Sequence, residues 1–184
     1  MRIIAGALKG RMILSPPGMK VRPTSDRARE TLFSVLGEGV SGSAFLDLFA
    51  GTGAVGLEAL SRGAREAVFV EKDKGAASTL AGNIQRMAVQ ESCRLMATDW
   101  LTACRRLKRE GKVYEFVFAD PPYGEPLAGI CLSSSFTSDI MRFWGTLIVE
   151  HRRGESLPAP PEGLTGVREI VSGEAAFSLY KKEG

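Results

Sequence analysis

From residue 44 onward, short apolar runs alternate with segments of helical period, and this alternation constrains the fold more than any other feature. AFLDLF, EAVFVE, RLMAT, EFVFA and TLIVE read as strands. Between them, AVGLEALSRG, roughly residues 74–88, WLTACRRLKRE and a weaker Ser-rich segment within 126–142 read as helices. Parallel strands need long crossovers, and crossover helices bury both faces of the sheet. The expected class is therefore α/β, with helices on both faces of a mostly parallel sheet. The alternation stops at HRRGESLPAPPEG, whose prolines cannot sustain a helix. One face of the sheet is expected to be thinly covered there. VREIVSG and AAFSLYKK then read as a closing hairpin that adds antiparallel pairing at one edge.

Ahead of the alternation, RIIAG and GRMIL read as two short strands around a Gly-Ala-Leu-Lys-Gly turn. A proline-rich loop follows. Thr24, Ser25 or Asp26 can then cap a helix with apolar residues Ala28, Leu32, Val35 and Leu36 on one side. The expected organisation is a basic hairpin and loop over 1–24 appended to a domain over 25–184. At 184 residues the chain suits one domain of this kind. No apolar run approaches the roughly 20 residues that span a bilayer, and no secretory pattern opens the sequence. No membrane partner and a cytoplasmic location are expected. Three cysteines without CxxC spacing and a single histidine read as reduced thiols and no metal site.

Charge is unevenly placed. Residues 1–29 carry Arg2, Lys9, Arg11, Lys20, Arg22, Arg27 and Arg29 against one acid, Asp26. This segment is net +6, which leaves −3 on the remainder of a chain of net +3. A basic arm on a mildly acidic body suits a polyanion, and nucleic acid is the leading choice.

Residues 47–56 read Asp-Leu-Phe-Ala-Gly-Thr-Gly-Ala-Val-Gly at the first strand-to-helix junction. Gly51, Gly53 and Gly56 match G-x-G-x-x-G, a loop whose backbone turns tightly and approaches a ligand at a helix N-terminus. Glu71 ends the next strand, 20 residues after Gly51, where a carboxylate can accept both ribose hydroxyls. The candidate cofactor set takes in the loop residues Phe49, Ala50 and Thr52, and Lys72 beside Glu71. Asp47 argues against a pyrophosphate, which it would repel, and for the ammonium of a methionine moiety. The expected cofactor is S-adenosylmethionine rather than NAD. Asp99 ends the third strand, with Trp100 after it. Asp99 can accept from the adenine amine, cap the following helix, or do both.

FVFADPPYG, residues 116–124, ends a strand with an acid, two prolines and a ring. Ligands in open α/β sheets bind at the carboxyl ends of strands, so Asp120 should stand beside the glycine loop. Pro121 and Pro122 stiffen the turn. The Asp120 carboxylate and the Pro121 carbonyl can then point at one planar –NH₂ group, with Tyr123 stacked on its heterocycle. Two acceptors favour pyramidalisation of a poorly nucleophilic amine, and Asp120 can take the departing proton.

DLFAGTGAVGLEAL, VFVEKD and FADPPYG, in that order, resemble a class I S-adenosylmethionine-dependent amino-methyltransferase. RIIAGALKGR and VRPTSDRARETLFSVL narrow the resemblance to the RsmD family, the bacterial 16S rRNA guanine(966)-N2 methyltransferases. The resemblance implies a Rossmann-like seven-stranded sheet in 3-2-1-4-5-7-6 order, with one antiparallel strand and an N-terminal β-hairpin. It implies S-adenosylmethionine as methyl donor and the N2 amine of a guanine in small-subunit rRNA as acceptor. It assigns Asp47, Gly51, Gly53 and Glu71 to the cofactor site and Asp120, Pro121, Pro122 and Tyr123 to methyl transfer. Thr24 would either wall the cofactor or cap the helix.

The RNA candidates are Arg2, Lys9, Arg11, Lys20, Arg22 and Arg27. Arg27 and Arg29 can instead pair with Asp26 and Glu30, with phosphate favoured for Arg27 only. A second basic cluster, Arg105, Arg106, Lys108 and Arg109, reads as a solvated helix face. Guanine N2 is inaccessible in a stacked pair, so the base must be unpaired or flipped. The expected substrate is 16S rRNA within an assembling small subunit, met by a monomer. The main rival is an amino-methyltransferase acting on adenine N6 or a protein amide. An NAD-linked oxidoreductase offers no reason for Asp-Pro-Pro-Tyr.

Overall fold

The computed structural model describes residues 1–16, 25–122 and 126–184. Lys20, Arg22, Thr24 and Tyr123 lie outside the described residues. Seven strands form one sheet: β1 (Ala44–Asp47), β2 (Glu66–Val70), β3 (Cys93–Met96), β4 (Tyr114–Ala119), β5 (Met141–Arg152), β6 (Leu164–Ser172) and β7 (Ala175–Lys182). Their order is β3-β2-β1-β4-β5-β7-β6. β1 to β5 pair in parallel, and β7 runs antiparallel to both β5 and β6. This is the order that the resemblance implies.

The helices are α1 (Asp26–Leu36), α2 (Ala54–Ser61), α3 (Lys74–Met87), α4 (Trp100–Arg109), α5 (Leu127–Ser133) and α6 (Ser135–Asp139). The single Ser-rich helix expected after β4 is split into α5 and α6, because Ser134 is extended between them. Of the possible caps for α1, Ser25 serves: its hydroxyl accepts from the Ala28 amide at 3.1 Å. Leu32 and Phe33 of that helix are buried in a cluster with Phe45, Phe118, Ile148 and Phe177. The opposite face is filled by Leu46, Val117, Leu147, Cys104, Leu107 and Leu132, among others.

Two local features differ from expectation and one agrees with it. RIIAG and GRMIL make one antiparallel bridge, Arg2 with Met12, rather than two strands. The hairpin's other backbone bonds close the same turn, Ile3 to Arg11 at 2.9 Å and Ile13 to Met1 at 3.0 Å. β5 begins earlier than TLIVE, at Met141, after which a wide bulge interrupts its ladder with β4 between Tyr114 and Phe116. Residues 153–163 form no helix, as the prolines dictate. Leu157 packs from this loop onto the core, while edge strand β6 leaves Val167 and Val171 exposed.

The hairpin is fastened to the sheet domain by buried polar side chains. Glu58 of α2 is fully buried, and its carboxylate accepts from the amides of Ile4 at 2.8 Å and Ala5 at 3.1 Å. Arg62 Nε donates to the same carboxylate at 2.8 Å. Ser61 accepts from the Leu8 amide at 2.9 Å and donates to the Ala5 carbonyl. Arg29, also fully buried, donates to the Arg2 carbonyl and to Asp26, each at 2.7 Å. Burial pulls its guanidinium below the ordinary value, against the attraction of Asp26 and Glu58.

Candidate functional site

The glycine loop joins β1 to α2 at the carboxyl edge of the parallel strands. Gly53 caps α2 with φ +85°, a left-handed conformation suited to glycine. A Cβ on Gly56 would come within 2.3 Å of the Phe69 ring, so this glycine lets α2 close onto β2. Gly51 has no atom within 4 Å of where its Cβ would stand, so the loop backbone is open there.

Glu71 stands beside that opening. Its carboxylate accepts from the Gly51 amide at 2.8 Å and the Asp73 amide at 2.7 Å. The acid therefore holds the shape of the loop, and each oxygen keeps a further lone pair for a ligand. Asn83 braces the loop from below. It is fully buried, donates to the carbonyls of Thr52 and Leu14 at 3.0 Å each, and accepts from the Leu14 amide at 2.9 Å. One side chain thus links the N-terminal hairpin to the glycine loop.

Asp47 is the electrostatic anomaly of the site. It is 1% exposed, and its Oδ1 has no hydrogen-bond partner. Burial pushes its carboxyl up to about 7, opposed by the amides of Phe49 and Gly56 and reinforced by Glu71 and Glu150. An unpaired buried carboxylate is costly unless a cation or donor meets it. The orphaned oxygen therefore fits the ammonium of a methionine moiety.

Other expected cofactor residues gather nearby. Phe49 and Trp100 are half-buried, with ring centroids 6.4 Å apart. Ala50 and Thr52 are buried, and Lys72 is exposed. Asp99 caps α4 by accepting from the Thr102 amide at 2.9 Å, and that bond holds its carboxyl below the usual range. Of the two roles open to Asp99, the capping one is therefore present.

β4 lies directly beside β1, with Phe118 opposite Asp47. Asp120 therefore emerges two residues beyond that register, next to the glycine loop. It is half-buried, Pro121 is buried and Pro122 exposed. Among the RNA candidates, Arg2, Lys9, Arg11 and Arg27 are all on the surface. Arg11 donates to the Met87 carbonyl at 3.1 Å, and Arg2 lies 4.0 Å from Asp26. The second basic cluster is largely engaged: Arg106 with Glu110 at 2.9 Å, Lys108 with Asp139 at 2.7 Å, and Arg105 over the Phe136 ring. Sequence reasoning missed Glu58, Ser61 and Asn83. Their one signal was a polar residue among buried neighbours of a helix.

No group of three or more His, Cys, Asp or Glu side chains among the described residues could hold a metal ion. None of the described helices is long and apolar enough to cross a membrane.

Residues 1–181 match the model of the family described as Conserved hypothetical protein 95. The Ribosomal RNA small subunit methyltransferase D of Escherichia coli K12 is 34% identical over 182 residues, covering 99% of this chain and 90% of that protein. The solved structure of E. coli yhhF superimposes with a TM-score of 0.85 at 30% identity, covering 100% of this chain and 98% of that one. The protein SMU.776, solved in complex with SAH, shares the fold at 15% identity and a TM-score of 0.64, over 83% of this chain and 48% of that one. With its sheet order and near-complete coverage, the chain belongs to the RsmD family of ribosomal RNA small-subunit methyltransferases, built on the class I methyltransferase fold.

Proposed function

We propose that this chain transfers a methyl group from S-adenosylmethionine to the exocyclic N2 amine of a guanine in bacterial 16S rRNA, within an assembling small subunit. The observation that carries the reading is the pairing of β1 with β4. It sets Asp120-Pro121-Pro122 beside a glycine loop whose buried acid, Asp47, lacks a partner on Oδ1.

Bound S-adenosylmethionine supplies a methyl group on a sulfonium, an electrophile that needs no further activation. Asp47 would meet its ammonium, Glu71 its ribose hydroxyls, and Phe49 and Trp100 its apolar surface. Asp99 would reach the adenine amine with the lone pairs that its cap bond leaves unused. Asp120 and the Pro121 carbonyl would accept the two amine hydrogens of guanine and orient the nitrogen lone pair for methyl transfer. Asp120 would take the surplus proton that the methylated nitrogen releases. By the family pattern, Tyr123 would stack on the base, and Thr24 would wall the cofactor. Arg2, Lys9, Arg11, Lys20, Arg22 and Arg27 would hold the RNA backbone, and the buried Glu58, Ser61 and Asn83 would fix the hairpin that carries three of them.

Tritium transfer from labelled cofactor into small-subunit particles, followed by digestion to nucleosides, tests the reading. N2-methylguanosine is the expected product. Labelled N6-methyladenosine, or label only in DNA or protein, would refute it.

A further inference from the structure

The bulge at the start of β5 holds two large aromatic side chains in the open. Phe143 is 64% exposed and Trp144 69% exposed. Trp144 also has φ +64°, a conformation that glycine adopts freely and a bulky residue only under strain. Core packing does not explain the residue, because the ring is on the surface. A glycine at this position would relax the backbone and leave the core intact. The indole lies against the terminal Gly184, where a Cβ would come within 2.8 Å of it, and most of the ring is still open to what it meets from outside the molecule.

The surroundings indicate what that is. Arg142 donates to Glu115 at 2.7 Å, and Glu115 also accepts from the Ala44 amide at 2.8 Å, so the bulge is tied to the sheet. Lys181 donates to the Trp144 carbonyl at 3.1 Å. The Lys182 ammonium lies 5.1 Å from the centre of the Phe143 ring and donates to the carbonyls of Ser138 at 2.8 Å and Met141 at 3.0 Å. Carbonyl partners leave the charge of both lysines in place. Fixed aromatic faces beside uncancelled cations suit a single-stranded nucleic acid, whose bases stack while its phosphates meet the lysines.

We propose that the β5 bulge is a second RNA contact, at which an unpaired rRNA base stacks on Trp144 or Phe143 with Lys181 and Lys182 facing the adjoining phosphates. This inference rests on rRNA being the substrate. The bulge lies at the amino-terminal edge of the parallel strands, the edge opposite Asp47 and Asp120. The six residues of β4 separate the two edges by roughly 20 Å.

The test compares the wild type, Trp144→Gly and Trp144→Phe for binding to protein-free small-subunit rRNA and to small-subunit particles with bound ribosomal proteins, with thermal melts as the folding control. Trp144→Gly should melt no lower than the wild type and bind about tenfold more weakly, the scale of one lost base stack. Trp144→Phe should bind within about threefold of the wild type, because it keeps an aromatic face. Wild-type binding that Trp144→Gly leaves unchanged would overturn the bulge contact alone. A loss seen only when ribosomal proteins are present would replace RNA with a protein partner. Failure of the wild type to bind protein-free rRNA would overturn this inference alone, because the proposed substrate is an assembling subunit; failure to bind the particles as well would overturn the proposed function.

Discussion

Replacing Asp47 with Asn should stabilise the ligand-free protein and weaken its hold on the cofactor. The buried carboxyl titrates near 7 instead of near 4, so between those values the unfolded chain releases a proton that the folded chain keeps. Stability therefore falls as pH rises through that window and levels off above about 7. A window about three pH units wide corresponds to roughly 4 kcal/mol, at 1.36 kcal/mol for each unit. The asparagine side chain carries no charge, so the variant escapes this loss. Its advantage over the wild type should be near zero at pH 4 and approach about 4 kcal/mol at pH 8, less whatever its amide hydrogens lose by burial. Urea denaturation of both proteins across that range measures the difference directly. Cofactor binding should move the other way. A lost charge-assisted bond to the ammonium weakens affinity by about tenfold or more at pH 8. Equal stability at pH 8, or a stability difference that does not depend on pH, would refute the reasoning about Asp47. Stabilisation without loss of affinity would leave the acid buried but remove it from the cofactor site.

Glu58→Ala removes the acceptor for the Ile4 and Ala5 amides and for Arg62, and should cost about 2–4 kcal/mol. Limited proteolysis should then cut within residues 1–16 before the sheet domain. Gly56→Ala places a methyl group against the Phe69 ring and should lower the melting temperature by several degrees, as expected for roughly 1–3 kcal/mol of overpacking. Asp120→Ala should nearly abolish turnover while titration calorimetry finds cofactor affinity within a few fold of the wild type. A large loss of affinity would move Asp120 from the acceptor amine to the cofactor.

The parallel core was legible because its signals are local. Apolar runs such as EFVFA, helical periods such as WLTACRRLKRE, and a glycine loop at a strand end each occupy a dozen residues or fewer, and the sheet order follows from their alternation with the resemblance. The attachment of the hairpin was not legible. Ile4 and Glu58 are 54 residues apart, Leu14 and Asn83 are 69, and a polar side chain bonded to a distant backbone leaves no period to read. The β5 bulge escapes a sequence reading because FWG interrupts the strand pattern. TLIVE alone carries that pattern, although pairing begins at Met141. In the candidate site, chemistry at strand ends singles out Asp47, Glu71 and Asp120 as the proposed functional acids. That Asp47 would be buried with an orphaned oxygen needed the packing of β1 between β2 and β4.

The most direct test of methyl transfer to guanine N2 is nucleoside analysis of 16S rRNA from cells lacking the gene, beside the same cells carrying it on a plasmid. Loss of one N2-methylguanosine per rRNA, restored by the wild-type gene and not by Asp120→Ala, is the predicted result. An unchanged N2-methylguanosine content, or the loss of a different methylated nucleoside, would contradict it.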